Sequence, residues 1–179
     1  GNTFDYPYVH GKAMLKARHP FFSCSNETFC SDSTFRKDAW SVDLICGKQV
    51  TTSVGSGMRQ KYTVFPAEMQ EALKAFTLKG GNILVSGSKI ATDVWDSVYP
   101  VKTDSLFRES SKKFATGILG YKWASSNGSR KAQMRFVRNE KVETDLSARL
   151  DVCNEVNPEQ YSVESLDGLS PASRNGAIL

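Results

Sequence analysis

The stretch "FPAEMQEALKAFTLKGGNILVSGSKIATD", residues 65–93, decides the fold. Its first half places apolar side chains at the i, i+3, i+4 and i+7 spacing of one helix face, at Met69, Ala72, Leu73 and Phe76. Pro66 suits the first helical position, and the pair Gly80-Gly81 suits a helix end. We therefore predict a helix that stops at this glycine pair.

The segment "NILVSG", residues 82–87, follows the glycine pair directly. Its three apolar residues are consecutive rather than alternating, which is typical of a strand covered on both faces in a parallel sheet. Upstream, "SVDLICGKQ" (41–49) is a second strand candidate. The loop and helix between these two segments are long enough for a right-handed crossover. The sequence therefore predicts a β-α-β unit.

Further elements are predicted on both sides of this unit. "HPFFSCSN" (19–26) is a strand candidate, and "KIATDVWDSV" (89–98) is a short helix candidate. "SSKKFATGILG" (110–120) predicts a helix with Ser110 or Ser111 as its N-cap and Gly120 as its end. These elements extend the alternation of strands and helices that an α/β fold requires.

The C-terminal third carries β signals. "YKWASSNGSRKAQMRFV" (121–137) predicts two strands around an Asn-Gly turn, which is a strong hairpin signal. "QYSVESLDGL" (160–169) predicts one late strand and its turn. We expect a three-layer α/β/α fold with a mainly parallel sheet, flavodoxin-like or amidotransferase-like, plus a β-hairpin in this third.

Length and composition set the class of protein. A chain of 179 residues with 40% hydrophobic and 23% charged residues can bury a core as one globular domain. We expect a single α/β domain over 1–179, with its core at about 6–137 and a C-terminal extension at 138–179. The net charge of +4 is spread along the chain, which argues against nucleic acid as a partner. No apolar stretch approaches the roughly 20 residues of a membrane span.

Four cysteines, at positions 24, 30, 46 and 153, lack the spacing of a metal site. We therefore expect no metal. Cys24 and Cys30 could form a disulfide if their segment folds back, and four reduced, mostly buried thiols are an equal alternative. The sequence also lacks a G-x-G-x-x-G or P-loop motif, so we expect no nucleotide or flavin cofactor.

Small polar residues follow three strand candidates. If the strands are parallel, their carboxyl ends share the edge where ligands bind in open α/β sheets. The alternative is that small residues merely permit tight turns between strands and helices. The predicted ligand crevice comprises Ser23, Cys24, Ser25, Gly47, Lys48, Gln49, Ser86, Gly87, Ser88 and Asp93. Asp93 and Asp96, three apart, are better interpreted as capping or solvated residues than as metal ligands.

A catalytic site would need a nucleophile and a general base within hydrogen-bond reach. The two histidines, His10 and His19, both lie in the first twenty residues. The order with histidine last, which α/β-hydrolases use, is therefore absent, and Ser86-Gly87-Ser88 does not fit G-x-S-x-G. The candidates for an enzyme are Cys46, Ser86 or Ser88 as nucleophile, with His10 or His19 as base.

The stretch "LKAFTLKGGNILVSGSKIATD" resembles class I glutamine-amidotransferase-like domains, which have a flavodoxin-like sheet. More closely, "HPFFSCSNETF", "VDLICGKQ" and "GGNILVSGSKIATDVWD" resemble the α/β domain of large secreted Bacteroidetes proteins labelled xanthan-lyase-like. The resemblance covers roughly residues 6–137. It implies a secreted, periplasmic or cell-surface protein with a role near polysaccharide processing, of which this chain would be one piece.

One position departs from the amidotransferase pattern. Active members carry a cysteine in a Gly-x-Cys-x-Gly elbow after the corresponding strand, and this cysteine falls on Gly87 here. The downstream His-Glu pair of the family has no histidine to occupy it. We therefore expect a non-catalytic binding or structural module, with a polysaccharide or oligosaccharide and the other domains of the same polypeptide as partners. The alternative is a divergent hydrolase or lyase that uses a Ser or Cys at the carboxyl edge of the sheet.

Overall fold

The computed structural model describes residues 5–47, 52–53, 61–95, 105–129 and 166–173. The chain divides into two compact units, Gly1–Ile90 and Ala91–Leu179. Each unit is described by itself below, and the expectation of a single domain over 1–179 stays a prediction.

The first unit contains three helices and four strands among the described residues. In chain order these are α1 (Asp5–Lys16), α2 (Asn26–Ser31), β1 (Ser41–Gly47), β2 (Thr52–Ser53), β3 (Lys61–Tyr62), α3 (Ala67–Leu78) and β4 (Asn82–Gly87). Strands β1 and β4 are parallel, whereas β2 and β3 form a short antiparallel pair. The predicted β-α-β unit is therefore confirmed.

Helix α3 ends just before the predicted pair Gly80-Gly81. The four apolar residues of the predicted stripe on α3 are all buried. Gly80 has a φ of +87°, a left-handed conformation that glycine adopts without steric penalty. At Gly81 a Cβ atom would come within 2.3 Å of the Phe76 ring. The two glycines thus turn the chain sharply from the buried helix into β4.

Two details of the first unit differ from prediction. Leu84, in the middle of β4, is 57% exposed, so the expectation that both faces of this strand are covered is wrong. The strand predicted over 19–26 is also wrong, because Ser25 caps α2 instead. Its Oγ accepts a hydrogen bond from the Thr28 backbone N–H at 3.2 Å, and Phe29 of the same helix packs edge-on to Phe76.

The second unit contains α4 (Thr92–Trp95), α5 (Ser105–Phe114), a π-helical turn (Ala115–Leu119), β5 (Tyr121–Ser129) and β6 (Leu166–Pro171). Helix α5 begins before the predicted N-caps: Ser111 lies within it and donates its hydroxyl to the Phe107 carbonyl. Gly120, with a φ of +77°, ends the helical segment as predicted. The first turn holds Leu106 and Phe107, but the next six residues, 108–113, are all polar, so no apolar stripe marks this part of the helix in the sequence.

An antiparallel strand pair is present in the C-terminal third, between β5 and β6. The Asn127-Gly128 dipeptide lies inside β5 rather than at a turn between paired strands. A Cβ at Gly128 would come within 2.6 Å of the Gly168 Cα, so glycine permits close approach of the two backbones. Residues 130–137, which were predicted as the second strand, lie outside the described residues.

The described part of the chain is therefore mixed α/β, with one parallel and two antiparallel strand pairs. Within this part, no helix combines the length and the apolarity needed to cross a membrane.

Candidate functional site

Helix α1 packs on β1 through one stripe of side chains. Tyr6, His10 and Met14 are spaced i, i+4 and i+8, which places them on one helix face. The Tyr6 ring lies against Gly47, where a Cβ would be 3.2 Å from Tyr6 Cδ2. One turn further along the helix, His10 Nδ1 lies 2.6 Å from Asp43 Oδ2. This stripe brings a histidine onto the sheet.

The His10–Asp43 pair is shielded from solvent on the side of the carboxylate. The side chains of His10 and Asp43 are 29% and 11% exposed, respectively. Asp43 Oδ1 is buried and has no hydrogen-bond partner among the described residues. Because a buried carboxylate without partners is unfavourable, the bond from His10 is the main local compensation for Asp43. The same bond orients the imidazole and leaves Nε2 as its second functional nitrogen.

Ser86 shares a sheet face with this pair. In the parallel register Ile45 lies opposite Ser86. Asp43 and Ile45 are two residues apart on β1 and therefore project to the same face, and paired residues of parallel strands do likewise. Among the candidate nucleophiles on the two strands, Ser86 lies on the face of the His10–Asp43 pair, whereas Cys46 lies on the opposite face.

The Cys46 thiol has low reactivity in this position. Although the residue as a whole is only partly buried, its surroundings keep water from the thiol, and this desolvation raises the thiol pKa to about 12. The thiolate is the nucleophilic form of cysteine, so Cys46 is almost entirely unreactive at neutral pH.

Gly87 directly follows Ser86 at the end of β4, where the resemblance to amidotransferases predicts the position of their elbow cysteine. A Cβ atom at Gly87 would lie 2.8 Å from Cys46 Cβ and 2.8 Å from Ile90 Cγ2. Cβ atoms do not approach other carbons this closely without displacement of one partner. The turn after β4 therefore has no space for a nucleophilic side chain at this position.

Ser88 ties the ends of the two parallel strands together. Its backbone N–H donates to the Gly47 carbonyl at 2.8 Å, and its hydroxyl donates to the same oxygen at 3.4 Å. The residue is buried. Ser88 therefore closes the turn rather than presenting a free hydroxyl. Lys48 and Gln49, which the sequence placed in the same crevice, lie outside the described residues.

The other crevice candidates of the first unit lie away from a strand end. Ser23, Cys24 and Ser25 belong to the exposed connection between α1 and α2. His19 is exposed just after α1. Cys24 and Cys30 are both free thiols. The structure thus brings together Cys46, Gly87 and Ser88 near the strand ends, but not the Ser23–Ser25 group.

In the second unit, Asp93 lies in the first turn of α4, and the start of this helix is held by Asp167 from β6. Asp167 Oδ2 accepts hydrogen bonds from the Ala91 and Thr92 backbone N–H groups at 2.8 and 2.6 Å, and Oδ1 accepts one from Thr92 Oγ1. Asp167 satisfies donors that a helix start would otherwise leave unpaired.

Two carboxylates, Asp43 and Asp167, were missed at the sequence level. Asp43 had a signal, because a charged residue inside the apolar run "VDLIC" requires a partner when the strand is buried. Asp167 had none, since its partners lie 75 residues or more away.

Among the described residues no group of three or more His, Cys, Asp or Glu side chains is arranged to hold a metal ion. The chain has no significant match to a protein-family model, a curated protein or a solved structure.

Proposed function

We propose that this chain is a non-catalytic binding or structural module, of amidotransferase-like three-layer architecture, in a secreted polysaccharide-processing protein. The observation that carries the proposal is the packing at Gly87, where a Cβ would lie 2.8 Å from both Cys46 and Ile90. An amidotransferase-type reaction needs a nucleophilic side chain at this position of the turn, and Gly87 supplies none.

Two neighbours of Gly87, Cys46 and Ser88, are unsuited to replace the missing nucleophile. Burial keeps the Cys46 thiol protonated at neutral pH. The Ser88 hydroxyl and N–H are both used to close the turn on Gly47. A β-α-β unit that retains its parallel strands while its turn is packed shut is better suited to present a surface than to form a covalent intermediate.

The test uses the full chain and two probes. A glutamine-mimicking diazoketone, with mass spectrometry of the intact protein and its peptides, reports covalent capture at the turn. Affinity electrophoresis in gels that contain xanthan or neutral dextran reports polysaccharide binding. We expect no adduct on Cys46 and retarded migration in the xanthan gel. An adduct on Cys46, or migration that xanthan leaves unchanged, would contradict the catalytic or the binding half of the proposal, respectively.

A second candidate function rests on the His10–Asp43 pair. The 2.6 Å bond between His10 Nδ1 and Asp43 Oδ2 is the orientation that a general base receives from its carboxylate in Ser-His-Asp hydrolases. The register places Ser86 on the same sheet face. In this alternative, His10 Nε2 would take the proton of the Ser86 hydroxyl as its oxygen attacks an ester carbonyl.

A fluorophosphonate probe separates the two candidates, because it labels activated serines. The non-catalytic proposal expects no labelling. Labelling at Ser86 that is lost in both Ser86→Ala and His10→Asn, but kept in the control Ser23→Ala, would establish the hydrolase instead. Ser23 is a suitable control because it is exposed and lies in the connection before α2.

A further inference from the structure

Helix α1 has a second face, opposite the stripe that packs on β1. Tyr8, Lys12, Leu15 and Lys16 are spaced i, i+4, i+7 and i+8, so they lie together on this outer face. Leu15 is 66% exposed and Tyr8 is 56% exposed, and Lys12 and Lys16 are exposed as well. Lys12 Nζ lies 5.9 Å from the centre of the Tyr8 ring. Apolar and cationic groups therefore alternate on one surface.

Two phenylalanines extend this surface beyond the helix. Phe21 is 44% exposed, and its ring lies over Gly11, where a Cβ would be 3.1 Å from Phe21 Cζ. Phe22 is 56% exposed and contacts Phe35 edge-on at 4.5 Å between ring centres. We call the set Tyr8, Lys12, Leu15, Lys16, Phe21 and Phe22 the α1 outer surface.

The charge of this segment has one sign. Between Asp5, the first residue of α1, and Glu27 of α2, the sequence contains Lys12, Lys16 and Arg18 but no further aspartate or glutamate. Arg18 has a φ of +59°, a conformation that is unfavourable for residues with a side chain and favours glycine after a helix end. Arg18 therefore places a cation at a position where glycine would be less strained. The surface is suited to an anionic partner.

We propose that the α1 outer surface binds an anionic lipid surface. Exposed leucine and phenylalanine side chains gain by insertion among acyl chains, and lysines beside them reach back to phosphate groups. A second copy of the chain is a poor occupant because the two cationic faces would repel each other. Lysine is depleted from the centres of protein interfaces, and here Lys12 lies between Tyr8 and Leu15 rather than at a rim.

The proposal is tested by sedimentation of the full chain with vesicles of phosphatidylcholine alone or with about one-third phosphatidylglycerol. We expect binding to the anionic vesicles, weak binding to the neutral ones, and a loss of affinity in about 1 M salt, where the Debye length is about 3 Å. Equal binding to both vesicles, or none to either, would overturn the proposal.

Matched variants distinguish binding through the α1 outer surface from effects that the same substitution would have anywhere on the protein. Leu15→Glu should weaken vesicle binding at least about tenfold, whereas Leu78→Glu, at an exposed leucine of α3, should change it less than about twofold. Lys16→Gln should weaken binding about fivefold, and Lys79→Gln should not. Circular dichroism checks that each variant is folded. If Leu15→Glu and Leu78→Glu behave alike, the α1 outer surface is not the site.

Arg18→Gly tests whether vesicle binding and stability can be changed in opposite directions. If Arg18 had only a structural role, its replacement would not weaken binding while leaving stability intact. Glycine relieves the positive φ, so the variant should be at least as stable as the wild type in urea. It should nevertheless bind anionic vesicles about fivefold more weakly, because one cation is lost. Retention on a xanthan gel that Lys16→Gln and Leu15→Glu both reduce, without vesicle binding, would assign the surface to an acidic polysaccharide and overturn the lipid proposal.

Discussion

The two sides of strand β1 differ in chemistry although they belong to the same seven residues. On one side Cys46 packs against Gly87, and water is kept from its thiol. On the other side Asp43 is bonded to His10 of α1 and has a second, buried oxygen without a hydrogen-bond partner among the described residues. One side is closed and apolar, and the other holds an oriented pair of polar groups.

This difference shows that the backbone shape of a turn and the polar chemistry beside it are set by different parts of the molecule. The backbone can keep the shape of a nucleophile elbow while its centre is filled by packing, because a glycine at the turn lets neighbouring side chains close over it. Polar chemistry then depends on which helix covers the other face. Here this helix is α1, and it brings His10 to Asp43.

Removal of the histidine should have the largest effect on stability. His10→Ala leaves the Asp43 carboxylate without its bonded partner, and we expect the free energy of unfolding to fall by about 3 kcal/mol, at the lower end for a broken buried pair because both groups retain some solvent contact. Urea denaturation at pH 7 measures the change.

The other histidine provides the control. His19→Ala removes an exposed ring and should change the free energy of unfolding by less than about 0.5 kcal/mol. If His10→Ala and His19→Ala have the same small effect, the polar side of β1 does not depend on the hydrogen bond between His10 and Asp43, and the contrast between the two sides is lost.

On the closed side of β1, a single added methyl group should destabilise the protein. Gly87→Ala introduces a Cβ 2.8 Å from Cys46 Cβ and Ile90 Cγ2, and we expect a loss of about 2 kcal/mol by thermal or urea unfolding. Gly117→Ala is the matched control, since a Cβ there has no atom within 4 Å and glycine-to-alanine changes in helical segments are neutral or stabilising. A Gly87→Ala protein as stable as the Gly117→Ala protein would show that the turn has room for a side chain.

The local order of the β-α-β unit was predictable from the sequence because each step had a local cause. The stripe of α3, the glycine pair and the apolar run of β4 specify a helix, a sharp turn and a strand without reference to distant residues. The same local rules failed at residues 19–26. There Ser25 fits equally well as a strand end or as an N-cap, and its bond to Thr28 decides for the helix.

The candidate site was less predictable because its geometry depends on residues far apart in sequence. His10 was a candidate base from the sequence, but its partner Asp43 is 33 positions away. Whether Ser86 faces that pair follows from the strand register, and a shift of one residue would turn Ser86 to the other face. The closure at Gly87 likewise depends on the contact of two side chains from different segments, Cys46 and Ile90.

The smallest expected effect is the pH dependence of stability that follows from the burial of the Cys46 thiol on the closed side of β1. The ordinary thiol pKa of 9.0 applies to the unfolded chain, whereas burial raises the pKa of folded Cys46 to about 12. Above pH 9 the unfolded chain therefore loses a proton that the folded protein keeps, so the free energy of unfolding falls by about 1.4 kcal/mol per pH unit until about pH 12. Below pH 9 this contribution to stability is fully present.

Other groups titrate in the same range, so the measurement is a difference between variants. Urea unfolding of the wild type and of Cys46→Ala between pH 8 and about pH 10.5 should give curves that converge as pH rises, because the variant lacks the contribution of this thiol. Desolvation raises the pKa of the Cys24 thiol as well, but this thiol is exposed, so the curve of Cys24→Ala should converge on the wild type much less than that of Cys46→Ala. Parallel curves for both variants would mean that water reaches Cys46, and the side of β1 that faces Gly87 would then be open to reagents and to ligands.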